Sequence, residues 1–239
     1  MDYHWNWAIF FEPSPDGEGT YAYMLFLGLL WTLLTAATSW TIALSIGTVV
    51  GVLRTLPNRA LNVAAIAFIE IFRNIPLIVQ LFLWFFVLPE VLPTAWGTWI
   101  KNLHYGPFYT TVVCLGFFTG ARIAELVRTG IETLPRGQKM AGLALGMTLP
   151  QLYRYILLPN GFRIIFPPLT TEFLVNVKIT SVGLAIGLLE LTSRARSVQE
   201  FSYQVFEAFA VASVLYVFIN ITVLAVAGRI ERHISLVSH

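Results

Sequence analysis

The sequence predicts an all-α protein that lies within a membrane and crosses it five times. Of its 239 residues, 56% are hydrophobic and 12% are charged, which is about half the charged fraction of an ordinary soluble domain. The mean hydropathy is +0.71. Residues 19–53 and residues 208–228 carry no charged side chain, and each run is long enough for a bilayer, which takes about 20 apolar residues. These observations exclude a soluble enzyme, a disordered chain and a nucleic-acid-binding module.

Five apolar segments account for the expected crossings. The run 19–53 is longer than one bilayer requires, so we expect one tilted helix with an extended outer end. The second span is expected at about 61–88, the third at about 107–131 and the fourth, which is less apolar, at about 164–189. The fifth span occupies 208–228.

The distribution of positive charge predicts the orientation, because lysine and arginine are enriched in cytoplasmic loops. With the N-terminus outside, the inner segments hold nine cations and the outer segments three, so we expect the N-terminus outside and the C-terminus inside. The inner cations are Arg54, Arg59, Arg128, Arg136, Lys139, Arg154, Arg163, Arg229 and Arg232, and the outer cations are Lys101, Arg194 and Arg196.

Residues 1–20 are expected to form an external N-terminal tail. They are acidic, whereas a cleavable signal peptide has a basic first region, so no such signal is expected. Trp5 and Trp7 suit anchoring at the membrane surface. A disordered tail explains the same residues equally well.

Residues 132–163 are too interrupted by prolines and cations to cross a bilayer, and the topology places them in the cytoplasm. We expect two short helices there, at 136–147 and at 150–157. The first contains Gly142 and Gly146. Because each glycine costs about 1 kcal/mol of helix stability relative to alanine, the pair favours a helix that docks on another surface. A helix that lies on lipid explains these residues equally well.

Ionisable side chains within spans are energetically costly, which makes them functional candidates. Arg122 lies near the middle of the third span with Glu125 one turn beyond it, and Lys178 lies near the middle of the fourth span. Glu70 and Arg73 form a similar pair in the second span. The alternative is that the charges only neutralise each other, Arg122 with Glu125 and Arg73 with Glu70, and for the second pair we favour this explanation.

The second span also contains residues that disturb a helix. Asn74, Pro76 and Gln80 predict either a broken helix whose polar groups face a cavity, as in many transport sites, or a proline kink that affects packing alone. The fourth span carries a further carboxylate, Glu172, nearer its cytoplasmic end. The single cysteine, Cys114, lies in an apolar run and indicates neither a disulfide nor a multi-cysteine metal site.

A short pattern in the cytoplasmic loop carries a family resemblance. The pattern consists of Ala141, Gly142, Gly146, Ile156, Leu158 and Pro159. Its spacing resembles the loop motif of bacterial ABC importer permeases, which reads Glu-Ala-Ala, three residues, Gly, nine residues, Ile-x-Leu-Pro. Met140 stands where the family has Glu, which can contact the ATPase, and Gly142 stands where the family has Ala.

The resemblance extends over almost the whole chain and is to the permeases for polar amino acids, which share the five-span, N-out topology. The tripeptide Trp5-Asn6-Trp7 and residues 72–80 look most like the glutamate/aspartate branch. The matching residues are Glu70, Phe72, Arg73, Asn74, Pro76, Leu77, Val79 and Gln80 in the second span, Glu125, Arg128 and Ile131 in the third, Pro135, Gly137 and Gln138 before the loop, and Pro167, Pro168, Lys178, Thr180 and Ser181 in the fourth.

The resemblance implies one ABC transporter type-1 transmembrane domain over residues 1–239 in the bacterial inner membrane, with 132–163 as the coupling loop. It implies alternating access, two ATP-binding subunits at the loop, an external solute-binding protein and a second permease chain, which makes a heterodimer in the glutamate/aspartate branch. The chain has no GxxxxGK[ST] loop, so ATP and Mg are expected on the partner ATPase, and this chain is expected to bind no cofactor, metal or nucleic acid and to be no enzyme. The residues expected to couple to the ATPase are Met140, Ala141, Gly142, Leu145, Gly146 and Pro159.

The residues expected along the substrate pathway are Arg122, Glu125, Lys178, Glu70, Arg73 and Asn74. Related permeases carry Glu70, Arg73 and Lys178 across many substrates, whereas those for other amino acids commonly have an uncharged, often aromatic, residue in place of Arg122. A guanidinium group matches a carboxylate bidentately. Arg122 is therefore expected to help receive the extra carboxylate of an acidic amino acid.

Three other functions compete with glutamate/aspartate import. The first is the same importer class acting on another polar amino acid. The second is a membrane-embedded hydrolase with a Ser-Lys dyad, because Lys178 and Ser181 are one helical turn apart, but no oxyanion hole is evident. The third is a secondary transporter, which five spans without an internal repeat disfavour.

Overall fold

The computed structural model describes residues 3–15, 17 and 19–236 of the chain, with side chains as far as residue 233. Within these residues the regular structure is helical, apart from one isolated bridge between Pro13 and Thr20. The α-helices are α1 (Tyr21–Thr55), α2 (Arg59–Asn74), α3 (Leu77–Phe82), α4 (Leu88–Val91), α5 (Thr94–Lys101), α6 (Gly106–Glu132), α7 (Arg136–Ala144), α8 (Leu149–Leu152), α9 (Leu158–Ile179), α10 (Leu191–Ser202) and α11 (Val205–Leu236). Two π-helical turns (Leu83–Val87 and Tyr153–Leu157) and two 3₁₀ helices (Trp7–Phe11 and Thr180–Ile186) complete the set.

Four helices in the described part of the chain are long and apolar enough to cross a membrane: Tyr21–Thr55, Gly106–Glu132, Leu149–Ile186 and Val205–His233. A fifth crossing is obtained if Arg59–Asn74 and Leu77–Val91 are counted as one interrupted span. The all-helical membrane fold is therefore confirmed.

The segment expected as the second span is a broken helix, as one of the two sequence alternatives predicted, and not a kinked one. Proline has no N–H to continue a helix and disfavours the helical conformation of the residue before it. Accordingly, Ile75 is extended, with φ −88° and ψ 129°, and Pro76 is the N-cap of α3. Gln80, on the first turns of α3, is buried.

The expectation of a separate second loop helix at 150–157 is wrong. Leu149–Leu152 continues through the π-helical turn Tyr153–Leu157 into α9, so the helix expected as the fourth span begins at Leu149 and not near residue 164. Pro150 falls in the first turn, where a missing N–H costs nothing. A π-helical turn interrupts the usual hydrogen-bond ladder just before Pro159, so that proline does not end the helix.

The first loop helix, α7, ends at Ala144, earlier than the expected residue 147. Gly146 follows with φ +80°, a left-handed conformation that glycine adopts without strain. The N–H of Met147 donates to the carbonyl of Gly142 at 3.1 Å, which closes the helix end.

The chain divides into two compact units, and the first comprises Met1–Ser39, Pro76–Leu115 and Val175–Val223. Its main core places Ile9 and Phe10 of the N-terminal segment with Leu25 of α1 and Leu191 of α10. The helix α10 was not expected. Its N-cap is the fully buried Glu190, whose carboxylate accepts the backbone N–H groups of Ser193 (2.8 Å) and Thr192 (3.0 Å) and the Tyr216 hydroxyl (2.9 Å).

The N-terminal segment is ordered over the described residues 3–11, unlike the disordered tail that the sequence left open. The Tyr3 hydroxyl and the Asn6 N–H (2.8 Å) both donate to the buried carboxylate of Glu207 at the start of α11. Trp5 stacks on Trp7 with ring centroids 5.8 Å apart, and both rings remain more than half exposed. Their anchoring at a membrane surface stays a prediction.

The second unit comprises Trp40–Ile75, Gly116–Leu174 and Leu224–His239. Its core joins α1, α6, α9 and the helix that leads into α9, namely α8 with the π-helical turn Tyr153–Leu157. Ile123, Leu152 and Ile165 are among the buried residues of this core. Gly47 and Gly51 of α1 allow close contact with α6, because a Cβ on Gly47 would lie 2.6 Å from the Ile123 Cγ2 atom. Small residues four apart are a common device for close packing of membrane helices.

Candidate substrate pathway and coupling surface

Arg122 is paired with Glu172, a residue from a different helix, and the ion pair with Glu125 that the sequence offered as an alternative is absent from the described residues. The Nε and Nη2 atoms of Arg122 donate to the two carboxylate oxygens of Glu172 at 2.7 and 2.9 Å. The side chains are 40% and 14% exposed, respectively. The Nη1 group of Arg122 makes no hydrogen bond within the described residues. One edge of the guanidinium is therefore fixed while the adjacent edge keeps free donors.

Glu125 belongs instead to a chain of alternating charges along α6. Its carboxylate accepts the Arg128 Nε–H at 2.9 Å and lies 3.6 Å from the Arg54 Nη2 atom. Arg128 also pairs with Glu132 one turn further on. Glu125 is thus held by two cations, and this geometry indicates that it stabilises the row of alternating charges.

The expected ion pair between Glu70 and Arg73 is absent from the described residues. Glu70 accepts a hydrogen bond from the Asn74 side-chain amide at 2.7 Å, one helical turn away. All three side chains are exposed, although they lie in an apolar helix. Exposed polar groups in such a helix need a water-filled cavity or another protein chain beside them, because lipid cannot solvate them.

Lys178 lies at the end of α9 and is exposed. The Ser181 hydroxyl donates to the Lys178 carbonyl oxygen at 2.8 Å. No hydrogen bond joins the Lys178 ammonium to Ser181 within the described part of the chain. This arrangement gives the serine no general base, which removes the basis for a Ser-Lys dyad.

The helix α7 and the residue after it present apolar side chains to the outside, whereas Gly142 is packed inward. Met140 and Leu145 are 70% and 83% exposed. Gly142 is the buried residue of α7, and a Cβ there would lie 2.7 Å from the Leu152 Cδ1 atom. The two glycines therefore serve the packing and the end of α7, and the exposed apolar side chains around them are Met140, Leu143 and Leu145. Whether this surface docks on a protein or lies on lipid stays a prediction.

The remaining loop residues of the expected coupling set are also accessible. Ala141 and Pro159 are exposed, on α7 and at the start of α9 respectively. Gly146 is exposed in the turn after α7. The set therefore provides an accessible surface on both sides of the α7–α8 turn.

Sequence reasoning missed two of the charged positions that the structure brings forward. Glu172 was noted without a partner, and no spacing signal could join it to Arg122 because the two residues are 50 positions apart. Glu190 lies where no helix was expected. Glutamate is not among the residues preferred at a helix N-cap, so its capping role had no recognisable signal in the sequence.

The comparisons with known proteins agree with this architecture. The profile of the family described as "Binding-protein-dependent transport system inner membrane component" matches residues 43–236. The chain belongs to this family. It is therefore a multi-pass inner membrane protein and the permease subunit of an ABC importer, and it is not itself an enzyme, since ATP hydrolysis lies in separate subunits of such systems.

Among the relatives of this permease, the glutamate/aspartate import permease protein GltJ of Escherichia coli (strain K12) is 42% identical over 99% of this chain and 97% of its own length. The glutamine transport system permease protein GlnP of the same organism is 31% identical over 81% of this chain and 84% of its own. The glutamate transport system permease protein GluD of Corynebacterium glutamicum is 32% identical over 87% and 73%.

Two solved structures share the fold. The permease matches a chain of "an amino acid ABC transporter with histidines" with a TM-score of 0.76 and 27% identity, over 89% of this chain and 95% of that one. A chain of the MetNI methionine ABC transporter in an inward-facing conformation gives a TM-score of 0.75 at 24% identity, over 89% and 96%. The permease is thus built like amino acid transporters of the ABC class.

Proposed function

We propose that this permease imports glutamate and aspartate and that Arg122 receives the extra carboxylate of the substrate. The observation that carries the proposal is the guanidinium of Arg122, which lies within a membrane-spanning helix with one edge held by Glu172 and the other supplied with free donors. A carboxylate can approach the free edge bidentately. The similarity to GltJ over nearly the full length supports the same substrate class.

Glu172 and Arg122 together form a neutral pair, which suits a transport site. A lone guanidinium would hold an acidic amino acid too firmly for release, and charges within a membrane are costly unless they are paired. With Glu172 in place, the substrate still meets the directed hydrogen-bond donors of Arg122, but the negative charge of Glu172 reduces the electrostatic attraction. Glu70, Arg73 and Asn74 contribute exposed polar groups to the same pathway, while Glu125 stabilises the inner part of α6. Lys178 is assigned to the pathway on the family resemblance alone.

The topology proposed for the permease has five spans, the N-terminus outside and the C-terminus inside. This arrangement places nine of the twelve counted cations in the cytoplasm, in accord with the positive-inside rule. The broken pair α2 and α3 then counts as the second span. The tail 1–20 lies outside, and α7 lies in the cytoplasm.

The partners proposed are two ATP-binding subunits, which hold ATP and Mg, an external solute-binding protein and a second permease chain in a heterodimer. The exposed apolar side chains of α7 fit an apolar groove on the ATP-binding subunit. Motion of that subunit would press on α7, whose Gly142 contacts Leu152, and Leu152 lies on the long helix that also carries Glu172. This contact gives alternating access a route from the ATPase to the Arg122 pair.

Uptake into proteoliposomes tests the proposal. The liposomes would hold the permease, its second permease chain and ATPase, with ATP on the ATPase side and the binding protein outside. We expect ATP-dependent uptake of radiolabelled glutamate that unlabelled aspartate competes away and arginine and leucine do not. No glutamate uptake in a complex whose ATPase copurifies and turns over would contradict the proposal.

Glutamine is the second candidate substrate, because GlnP matches four fifths of the chain. The same liposomes distinguish the two. Uptake of glutamine that glutamate cannot compete away would favour this candidate and would remove the substrate role from Arg122.

A further inference from the structure

The second unit contains a polar cavity that the transport pathway does not use. Its volume is about 250 Å³. It lies between the end of α1, the end of α6, the start of α7 and the π-helical turn Tyr153–Leu157. The lining includes three cationic side chains, a carboxylate and two hydroxyl groups: Arg54, Arg136, Lys139, Glu132, Tyr153 and Thr55.

The charges in and around this cavity leave an excess of positive charge. Glu132 is already neutralised by Arg128, and Glu125 is shared between Arg128 and Arg54. Four cations thus face two carboxylates, an excess of two positive charges. Arg136 and Lys139 make no ion pair within the described residues, so they are the cations available to a ligand.

One buried donor in the lining also lacks an acceptor. The Nε atom of Arg54 is inaccessible to solvent and makes no hydrogen bond within the described residues. Buried donors in folded proteins are normally paired with protein groups or with ordered water. The Tyr153 hydroxyl, by contrast, is engaged with the backbone and side chain of Thr55 at 3.1 and 3.0 Å, which stiffens that wall of the cavity.

The position of the cavity indicates the source of its ligand. Thr55 and Glu132 are the last residues of two helices that are long and apolar enough to cross a membrane, so we expect the cavity near the level at which the hydrocarbon layer ends and the phosphate groups of lipids begin. Basic pockets at this depth attract anionic headgroups.

We propose that this cavity binds the phosphate group of an anionic phospholipid of the inner leaflet. Arg136 and Lys139 supply the charge, and the ligand joins the start of α7 to the ends of α1 and α6. The lipid composition of the membrane would then set how firmly the coupling helix is held. This site is separate from the Arg122 pair and does not depend on which amino acid is transported.

Native mass spectrometry of the purified transporter complex tests the proposal, with phosphatidylglycerol and phosphatidylcholine as probes. The double variant Arg136→Gln, Lys139→Gln is made in this chain alone. Each basic group near a membrane surface contributes roughly a fivefold preference for anionic lipid, so the double variant is expected to weaken phosphatidylglycerol binding about 25-fold and to leave phosphatidylcholine unchanged. The matched control, Arg229→Gln with Arg232→Gln, removes two exposed cations of α11 that do not line the cavity and is expected to bind as the wild type does.

Three further arms make the test decisive. The variant Arg136→Lys, Lys139→Arg keeps both charges and is expected to retain the lipid, which separates loss of charge from misfolding. Inorganic phosphate that displaces phosphatidylglycerol at equal concentration would overturn the assignment to lipid in favour of free phosphate. The third arm compares the complex with and without its ATPase, and loss of phosphatidylglycerol whenever the ATPase is bound would overturn the site and assign the cavity to the ATPase interface. The site would also be overturned if the control variant lost the lipid equally, or if both lipids bound equally well.

Discussion

Replacing Glu172 by glutamine would remove one of the two hydrogen bonds from Arg122 to the Glu172 carboxylate and weaken the other. Gln offers one oxygen where Glu offers two, so one of the charge-assisted hydrogen bonds at 2.7 and 2.9 Å is lost and the other becomes weaker. Hydrogen bonds to charged groups contribute about 1.5–3 kcal/mol each. Because the Arg122 side chain is 40% exposed, water offsets part of this loss, and we expect the free energy of unfolding to fall by about 1–2 kcal/mol.

The converse change, Arg122→Gln, should cost more than Glu172→Gln. It leaves a carboxylate that is only 14% exposed without its cation, and an unpaired buried charge costs about 3–5 kcal/mol, here reduced by partial exposure to about 2–3 kcal/mol. The double variant should cost less than the two single costs combined, with a coupling of about 1–2 kcal/mol between the sites.

Thermal unfolding of the four proteins in one detergent measures this cycle. The pair Arg196–Glu200 is the matched control, because both side chains are about half exposed and one turn apart on α10. We expect Glu200→Gln to change the stability by less than about 0.5 kcal/mol. Additive costs at Arg122 and Glu172, or a larger effect at Glu200, would refute the assignment of Glu172 as the residue that holds Arg122.

Three other changes follow from the geometry. Gly47→Ala should destabilise the permease by roughly 1–3 kcal/mol in thermal unfolding, since its Cβ would lie 2.6 Å from an atom of α6. Gly228→Ala, where a Cβ meets open space within a helix, should be neutral or stabilising. Equal effects of the two changes would contradict the close packing of α1 on α6. Leu145→Asp should prevent copurification of the ATP-binding subunits without lowering the melting temperature, because this side chain is 83% exposed, and full copurification would exclude it from the docking face. Gly146→Ala should cost about 1 kcal/mol because its φ is +80°, while Gly137→Ala in α7 should stabilise slightly, and both changes are read from the same unfolding curves.

The membrane fold could be predicted from local composition, because an uncharged run such as 19–53 has one stable solution in a bilayer. A disturbance of the helix at Pro76 was predictable for the same reason, since a proline acts on its own neighbourhood, although the sequence left a break and a kink open. The continuous helix from Leu149 into α9 could not be predicted. Pro150 suits a first turn and Pro159 follows a π-helical turn, but in sequence both prolines look like helix ends.

Pairing between helices was the part that sequence could not supply. Spacing suggests partners one turn apart, and this reasoning joined Arg122 to Glu125, whereas packing of α6 against α9 gives it Glu172. The same limit applies to Gly142, whose value lies in contact with Leu152 and not in an open surface. Residues that act across helices are therefore found only once the fold is known.

The substrate role of Arg122 is tested by the ratio of glutamate uptake to glutamine uptake, because a ratio is insensitive to the amount of active transporter. It is measured in proteoliposomes for the wild type, Arg122→Gln and Arg122→Lys, the last of which keeps the charge without the planar fork of donors. We expect the ratio to fall about tenfold or more in Arg122→Gln and by less in Arg122→Lys, since a bidentate charge-assisted contact is worth at least about 1.4 kcal/mol. An unchanged ratio in Arg122→Gln, with ATP-dependent uptake still present, would contradict this role.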